Sequence, residues 1–362
     1  MKLHLIFIGN KFIYNRSLKE YIIRKIEQKS DFIDSITHFK ESDNSLFLYL
    51  EQELNSLNKL MIVTSKQHFS TVGKLICTVT SDNQILKDNM LIPSNSSIFE
   101  NGSYLLEHKN SITNILHVDE MQKLPEILLH FEDSKATVHL FEEDRESSIA
   151  LLAPIAQTYD VRIDIVELID GWLRVDIRSK KYGNISKFIT SAKQLLPKKL
   201  IGASCIISYI IDKLATHNKK ISFAESCTGG LLSYYFTEKN GASKILDGSI
   251  ISYSNALKEN WLGVENVTLQ EYGAVSSEVV LEMSEGVMNV SSADYSISIS
   301  GVAGDSGGTK YKPVGTIYVG VRTETEHIEK RLNLSGDRNY IQHQSVLFAI
   351  KMMLLIDKEM FF

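Results

Sequence analysis

A chain of 362 residues, 43% hydrophobic and 23% charged, has the composition of an ordinary globular protein and is long enough for two or three cores. Its net charge of -5 argues against a general nucleic-acid binder, and no run reaches the roughly 18 apolar residues of a membrane span. The three isolated cysteines, Cys77, Cys205 and Cys227, suggest neither a disulfide framework nor a zinc site. The apolar start, Met1–Gly9, is short and lacks a small-residue cleavage site, so it reads as a buried first strand and the protein as cytoplasmic.

Leu3–Ile8 reads as a strand that turns at Gly9-Asn10 into a helical pattern of Leu18, Tyr21, Ile22 and Ile26. A helix-like stretch around Leu46–Leu57 precedes a strand at Lys59–Thr64, and this alternation predicts a parallel α/β sheet. Residues 93–102 are rich in Ser, Asn and Pro and read as loop, and a helix over Asp119–His130 is expected to lead out of a first domain, 1–132. A smaller α+β unit, 135–197, follows. It has a strand at Ala136–Phe141, a helix at Glu146–Gln157, two strands joined at Ile169-Asp170-Gly171, and a closing helix at Ile185–Leu196. Pro197-Lys198-Lys199 reads as a linker.

The third unit, 200–358, opens with a helix carrying Ile206, Ile210 and Leu214. A short apolar run carries Ile221 and Phe223, and strands end at Tyr253 and Ser300. Helices follow at Asn255–Leu262 and Ser277–Val290, two strands pair over Val314–Arg322 and Ile328–Leu334, and a last helix runs from Asp337 to Leu355. The pattern is a three-layer α/β domain.

The chemistry concentrates in this third unit. Ala224-Glu225-Ser226-Cys227-Thr228-Gly229-Gly230 lies between a strand and a helix, which sets Ser226, Cys227 and Thr228 near free backbone N–H groups suited to an oxyanion or a nucleophile. The plainer alternative is that Ser226 caps the helix and the glycines turn it. Tyr253 with Lys258, Ser300 with the glycine-rich loop Gly301–Gly308, and Arg338 fall at the same carboxyl edge of the strands, where open α/β sheets bind ligands. Together they offer a nucleophile, a base, an anion loop and a cation, a set that suits hydrolysis of a phosphate-bearing substrate. Histidine is scarce, so the base falls to Lys258 if burial leaves it neutral; otherwise Lys258 holds an anion. Tyr253 either relays a proton or stacks on a ring. Cys227 reads as a buried thiol rather than the reactive group.

Five ordered segments carry a family resemblance: AESCTGG, Ser252–Val264, Tyr272–Val280, Ser300–Val319 and Leu334–Arg338. Over about residues 200–356 the chain resembles the CinA C-terminal domain, a family that includes nicotinamide mononucleotide deamidases. The resemblance implies a cytoplasmic amidohydrolase of pyridine nucleotide recycling that needs no cofactor or metal and acts as a homodimer. It makes Ser226 the nucleophile, matches Tyr253 and Lys258 to the catalytic tyrosine and lysine, and places Thr228, Gly229, Ser300, Gly301, Gly304 and Arg338 around the substrate. Ser300 stands where the family usually has threonine, Asp305 replaces a proline, and Gln342 stands where a second arginine often follows Arg338. The last two departures are expected to weaken substrate binding.

Residues 1–132 resemble more faintly the molybdopterin-binding-like domain that precedes the C-terminal domain in full-length members of the family, and 135–197 their KH-like connector. The glycines and paired aspartates of that first domain are missing from Val63–Ser70, so it is expected to be catalytically silent, and neither membrane nor nucleic acid is expected as a partner. The alternatives are a non-catalytic nucleotide-binding protein and a metal-dependent pyrophosphatase or molybdopterin-binding role for residues 1–130. The deamidase reading further expects residues from about Lys199 onward to suffice for activity.

Overall fold

A computed structural model describes residues 2–29, 33–130, 135–304 and 306–362. The chain forms two compact units, residues 1–133 and 134–362.

The first unit follows from apolar alternation along its strands. Strand β1 (Lys2–Ile8) leads through helices α1 (Asn10–Tyr14) and α2 (Arg16–Glu27) to β2 (Ser35–Phe39), α3 (Leu46–Leu54), β3 (Asn58–Ser65) and α4 (Phe69–Thr80). A hairpin of β4 (Gln84–Lys87) and β5 (Met90–Pro93) precedes β6 (Ile98–Glu100), β7 (Ser103–His108) and β8 (Ser111–Val118). The sheet order is β2-β1-β3-β8-β7-β6, parallel through β8 and antiparallel beyond it. In β1 the period of two sends Leu3, Leu5 and Phe7 to one face, against Ile22 and Ile26 of α2. Ile6 and Ile8 go to the other, against Leu50 of α3 and Ile76 of α4.

The expected helix at 119–130 does not form. Pro125 has no N–H, Leu128 N–H donates to Asn114 Oδ1 of β8 at 2.7 Å, and Lys59 Nζ donates to the His130 carbonyl at 2.7 Å. Ile127 and Leu129 are buried alternately, so the segment lies extended along the sheet. Val63–Ser70 runs from the end of β3 into the start of α4.

The second unit holds two sheets. Strand β9 (Lys135–Phe141), α5 (Arg145–Thr158), β10 (Val161–Ile169), β11 (Trp172–Ser179), α6 (Ile185–Leu195) and β12 (Leu200–Ile201) form the smaller one. Its order, β10-β11-β9-β12, is antiparallel throughout, and the β-α-β-β-α-β connectivity is the ferredoxin-like split βαβ. Gly171, at φ +64°, closes the β10–β11 hairpin. Residues 200–201, read as the start of the third unit, instead pair with β9 and complete this sheet.

The larger part continues with α7 (Ile206–Thr216), β13 (Ile221–Glu225), α8 (Leu231–Thr237), β14 (Leu246–Ile251), α9 (Asn255–Leu262), α10 (Asn266–Tyr272), α11 (Ser277–Ser291) and β15 (Tyr295–Gly301). It ends with β16 (Thr316–Thr323), β17 (His327–Asn333), α12 (Arg338–Ile356) and α13 (Lys358–Phe361). Strands β14, β13 and β15 are parallel; β16 and β17 add antiparallel, giving the order β14-β13-β15-β16-β17. Residues from α7, α8 and α12 share one core with one face of the sheet, and α9, α10 and α11 share another with the opposite face, so this part is a three-layer α/β sandwich. Alternation in β15 is strict: Tyr295, Ile297 and Ile299 enter the first core, while Ser296 and Ser298 donate to the carbonyls of Ser284 and Val280 on α11.

Candidate functional site

The carboxyl ends of β13, β14 and β15, the start of β16 and the end of β17 meet at one edge of the larger sheet. The chain leaves β13 for β14 on one side and returns to β15 on the other, so β13 ends at the switch point where open α/β sheets bind ligands. Ser226 is the first residue beyond it.

Lys258 comes to Ser226 from α9. Ser254 caps that helix by accepting from Leu257 N–H, and Gly263, at φ +66°, ends it. Lys258 and Leu262, four residues apart, form its buried face. The Lys258 side chain is 1% exposed, and its Nζ donates to the Ser252 carbonyl at 2.5 Å and is hydrogen-bonded to Ser226 Oγ at 3.0 Å. Burial pulls its pKa down from 10.5 to about 8. A neutral amine can donate one N–H to Ser252 and accept the hydroxyl proton of Ser226 on its lone pair. The two groups therefore have the geometry that a nucleophile–base pair requires.

The helix-capping alternative for Ser226 does not hold, nor does the open helix N-terminus expected of this motif. The cap is Glu225, fully buried and aimed by strand parity to the α8 face. Its carboxylate accepts from Thr228 Oγ1 at 2.8 Å, from the N–H groups of Gly230, Leu232 and Ser233 at 2.9–3.1 Å, and from Ser233 Oγ at 2.6 Å. The α8 amides are thus occupied by the protein's own anion. Glu225→Ala is expected to destabilise the fold by about 3 kcal/mol, because several buried donors lose their acceptor together. A shift of the urea midpoint at unchanged m-value measures this; a shift below a third of that size would mean water replaces the carboxylate.

The other expected site residues separate. Thr228 is buried with its hydroxyl donated to Glu225, so its side chain organises the loop. Gly229, at φ +59°, is exposed, and a side chain there would meet nothing within 4 Å. Ser300 is 1% exposed and donates to the Ala274 carbonyl at 2.6 Å, continuing the serine row of β15. Gly301 abuts Thr316 and Ile317, where a Cβ would come within 2.8 Å of the Thr316 carbonyl. Gly304 lies against the Arg338 guanidinium, 2.5 Å from where a Cβ would stand. Arg338 is exposed in the first turn of α12, whose cap Asp337 accepts from Tyr340 N–H. Tyr253 is 63% exposed. Asp305 lies outside the described residues. Gln342, expected as a weakened substrate contact, donates from Nε2 to the Cys227 carbonyl at 2.6 Å. Cys227 is buried and its thiol is pushed up to about 12 by burial, so it stays protonated.

Sequence reasoning missed Glu225 as the cap and the Ser252 carbonyl as the partner of Lys258. Strand alternation in Ile221-Ser222-Phe223-Ala224-Glu225 was the signal for the first; a backbone acceptor leaves no sequence signal.

The C-terminal part is an α/β domain with a buried serine–lysine pair at the carboxyl edge of its parallel strands. The family model of the CinA C-terminal domain matches residues 204–356. A CinA-like protein of Thermotoga sp. (strain RQ2) is 46% identical over 142 residues, 39% of this chain and 35% of that protein. One of Prochlorococcus marinus (strain MIT 9215) is 39% identical over 193 residues, 51% of this chain and 46% of that protein. The chain covers less than half the length of these relatives. The solved structure of the competence/damage inducible protein CihA from Agrobacterium tumefaciens is 30% identical with a TM-score of 0.41, covering 42% of this chain and 93% of that one. Residues 204–356 belong to the CinA C-terminal domain family. Among the described residues no helix is long and apolar enough to cross a membrane, and no group of three or more His, Cys, Asp or Glu stands together as metal ligands.

Proposed function

We propose that the C-terminal domain hydrolyses the carboxamide of nicotinamide mononucleotide, giving nicotinate mononucleotide and ammonia. The observation that carries this reading is the buried Lys258 amine, poised 3.0 Å from Ser226 Oγ with a pKa of about 8. Neutral Lys258 takes the Ser226 proton as Oγ attacks the carboxamide carbon. The ammonium so formed returns that proton to the leaving nitrogen, the C–N bond breaks, and ammonia departs from an acyl-serine ester. Water then attacks the ester with Lys258 again as base, releasing the carboxylate and restoring Ser226. Exposed Arg338 supplies the cation for the nucleotide phosphate, and Tyr253 stands free to stack on the pyridine ring. Residues 1–133 add no catalysis in this reading, because Val63–Ser70 lacks the glycines and acidic pair that would hold a phosphate and a metal.

Ammonia and nicotinate mononucleotide formation, measured for wild type, Ser226→Ala and Cys227→Ala without added metal, tests it. Ser226→Ala should lose turnover by about a thousandfold or more, and Cys227→Ala should keep most of it. Ligand binding without turnover in the wild type would replace the deamidase reading with a nucleotide-binding one.

A further inference from the structure

The backbone N–H groups around Ser226 divide into committed and free. Ser226 N–H donates to the Ile299 carbonyl, Gly229 N–H to Ser226 O at 3.2 Å, and Leu231 N–H to Thr228 O at 3.1 Å. Those of Gly230, Leu232 and Ser233 go to Glu225. Among the described residues of the stretch 226–233, the Thr228 N–H alone has no hydrogen-bond partner, while the Cys227 N–H is turned to its own thiol. Acyl transfer through a serine needs an N–H donor aimed at the oxygen of the attacked carbonyl, and the Thr228 N–H is what the fold leaves.

Its direction is set from α12. The peptide joining Cys227 to Thr228 is planar and trans, so its C=O and N–H point opposite ways. Gln342 Nε2 holds that C=O at 2.6 Å, and Thr228 Oγ1 is tied at 2.8 Å to the buried Glu225 carboxylate. With both ends fixed the peptide plane cannot turn without breaking one of these bonds. Resting on the reading of Ser226 as nucleophile, we infer that Gln342 is a positioning residue that holds the Thr228 N–H as the oxyanion donor. The same helix face carries Arg338 four residues earlier, its guanidinium packed on Gly304. One end of α12 thus bears both the exposed cation and the clamp on the oxyanion peptide, which keeps a bound anion and the reacting carbonyl in a fixed relation. In place of a second substrate contact, Gln342 acts on the protein's own backbone.

The test compares Gln342→Met, which keeps side-chain length and loses the donor, with Gln342→Arg, which restores an N–H donor. Two readouts are needed: kcat and KM for nicotinamide mononucleotide, and the burst of Ser226 acylation by p-nitrophenyl acetate, an activated ester that needs no nucleotide site. Gln342→Met should lower both kcat and the acylation rate by about 10- to 100-fold, with KM within about twofold and the pH midpoint unchanged. Gln342→Arg should recover most of the loss. Wild-type acylation in Gln342→Met, or a loss confined to KM, would overturn the inference. If the wild type is acylated but releases no ammonia, the substrate reading fails while the acylation comparison still decides the role of Gln342. If the wild type is not acylated at Ser226, both fail. Should Gln342→Met not fold, Gln342→Glu sets a carboxylate oxygen against the Cys227 carbonyl and is expected to show the same loss of acylation.

Discussion

Lys258→Met is expected to abolish turnover and at the same time make the protein more stable. The two effects share one cause. Burial lowers the Lys258 pKa from 10.5 to about 8, which corresponds to about 3 kcal/mol of folding free energy. The unfolded chain binds the extra proton between pH 8 and 10.5, so stability rises with pH across that window. Below pH 8 the full cost is present. Methionine removes the buried charge, while the loss of hydrogen bonds to Ser226 Oγ and the Ser252 carbonyl gives back about 1–2 kcal/mol. The net gain expected in urea unfolding at pH 7 is about 1–2 kcal/mol.

Activity should move the other way, falling about 10³- to 10⁴-fold, because among the described residues Lys258 is the one base hydrogen-bonded to the Ser226 hydroxyl. In the wild type, kcat/KM should rise about tenfold per pH unit below pH 8 and level off above it, as the amine becomes neutral. Lys258→Arg cannot shed its proton and should not restore activity at any pH. A flat profile between pH 6.5 and 9, or substantial turnover in Lys258→Met, would remove Lys258 as base and leave it as an anion anchor.

The position of the site was legible because its parts sit where period and punctuation change. AESCTGG falls between apolar alternation and a helix, and Lys258 lies within the helix read at Asn255–Leu262. The roles of the polar groups were less legible. Thr228 and Ser300 are hydroxyls at the right edge of the sheet, yet each donates to an internal acceptor, Glu225 and the Ala274 carbonyl. A sequence gives residue type and strand face but not which acceptor lies above a strand. Likewise the stretch 119–130 carries helix formers around Pro125, and what overrides them are side chains of neighbouring strands, with Asn114 offering its amide oxygen and Lys59 its amine. Short strands such as β12 are set by the partner they find, and Leu200-Ile201 has no period of its own to announce it.

That two-residue strand bears on how much of the chain the candidate site needs. A protein beginning at Lys199, which the sequence suggested would suffice, is expected to be far less stable than residues 134–362. Phe141, Ile169, Trp172 and Ile201 of the smaller sheet belong to one core with Ile206, Ile210, Phe348, Met353 and Phe361. The Phe141 ring meets Phe362 edge-on at 5.5 Å, and Lys351 of α12 donates to the Asp170 carbonyl at 2.6 Å in the β10–β11 hairpin. Cutting at 199 removes β9 from Leu200 and Ile201 and strips one side of this core. Uncovering two or three large apolar side chains costs about 1.5–3 kcal/mol each, so about 5 kcal/mol is at stake against a usual total of about 5–15. The shorter chain should melt at least 10 °C lower, by the scaling of about 2–4 °C per kcal/mol for domains of this size, and should lose turnover through unfolding with kcat per folded molecule preserved. Equal melting of the two chains would mean the smaller sheet is merely tethered. Residues 135–201 would then be a separable domain, and the shared core a contact that forms without stabilising either side.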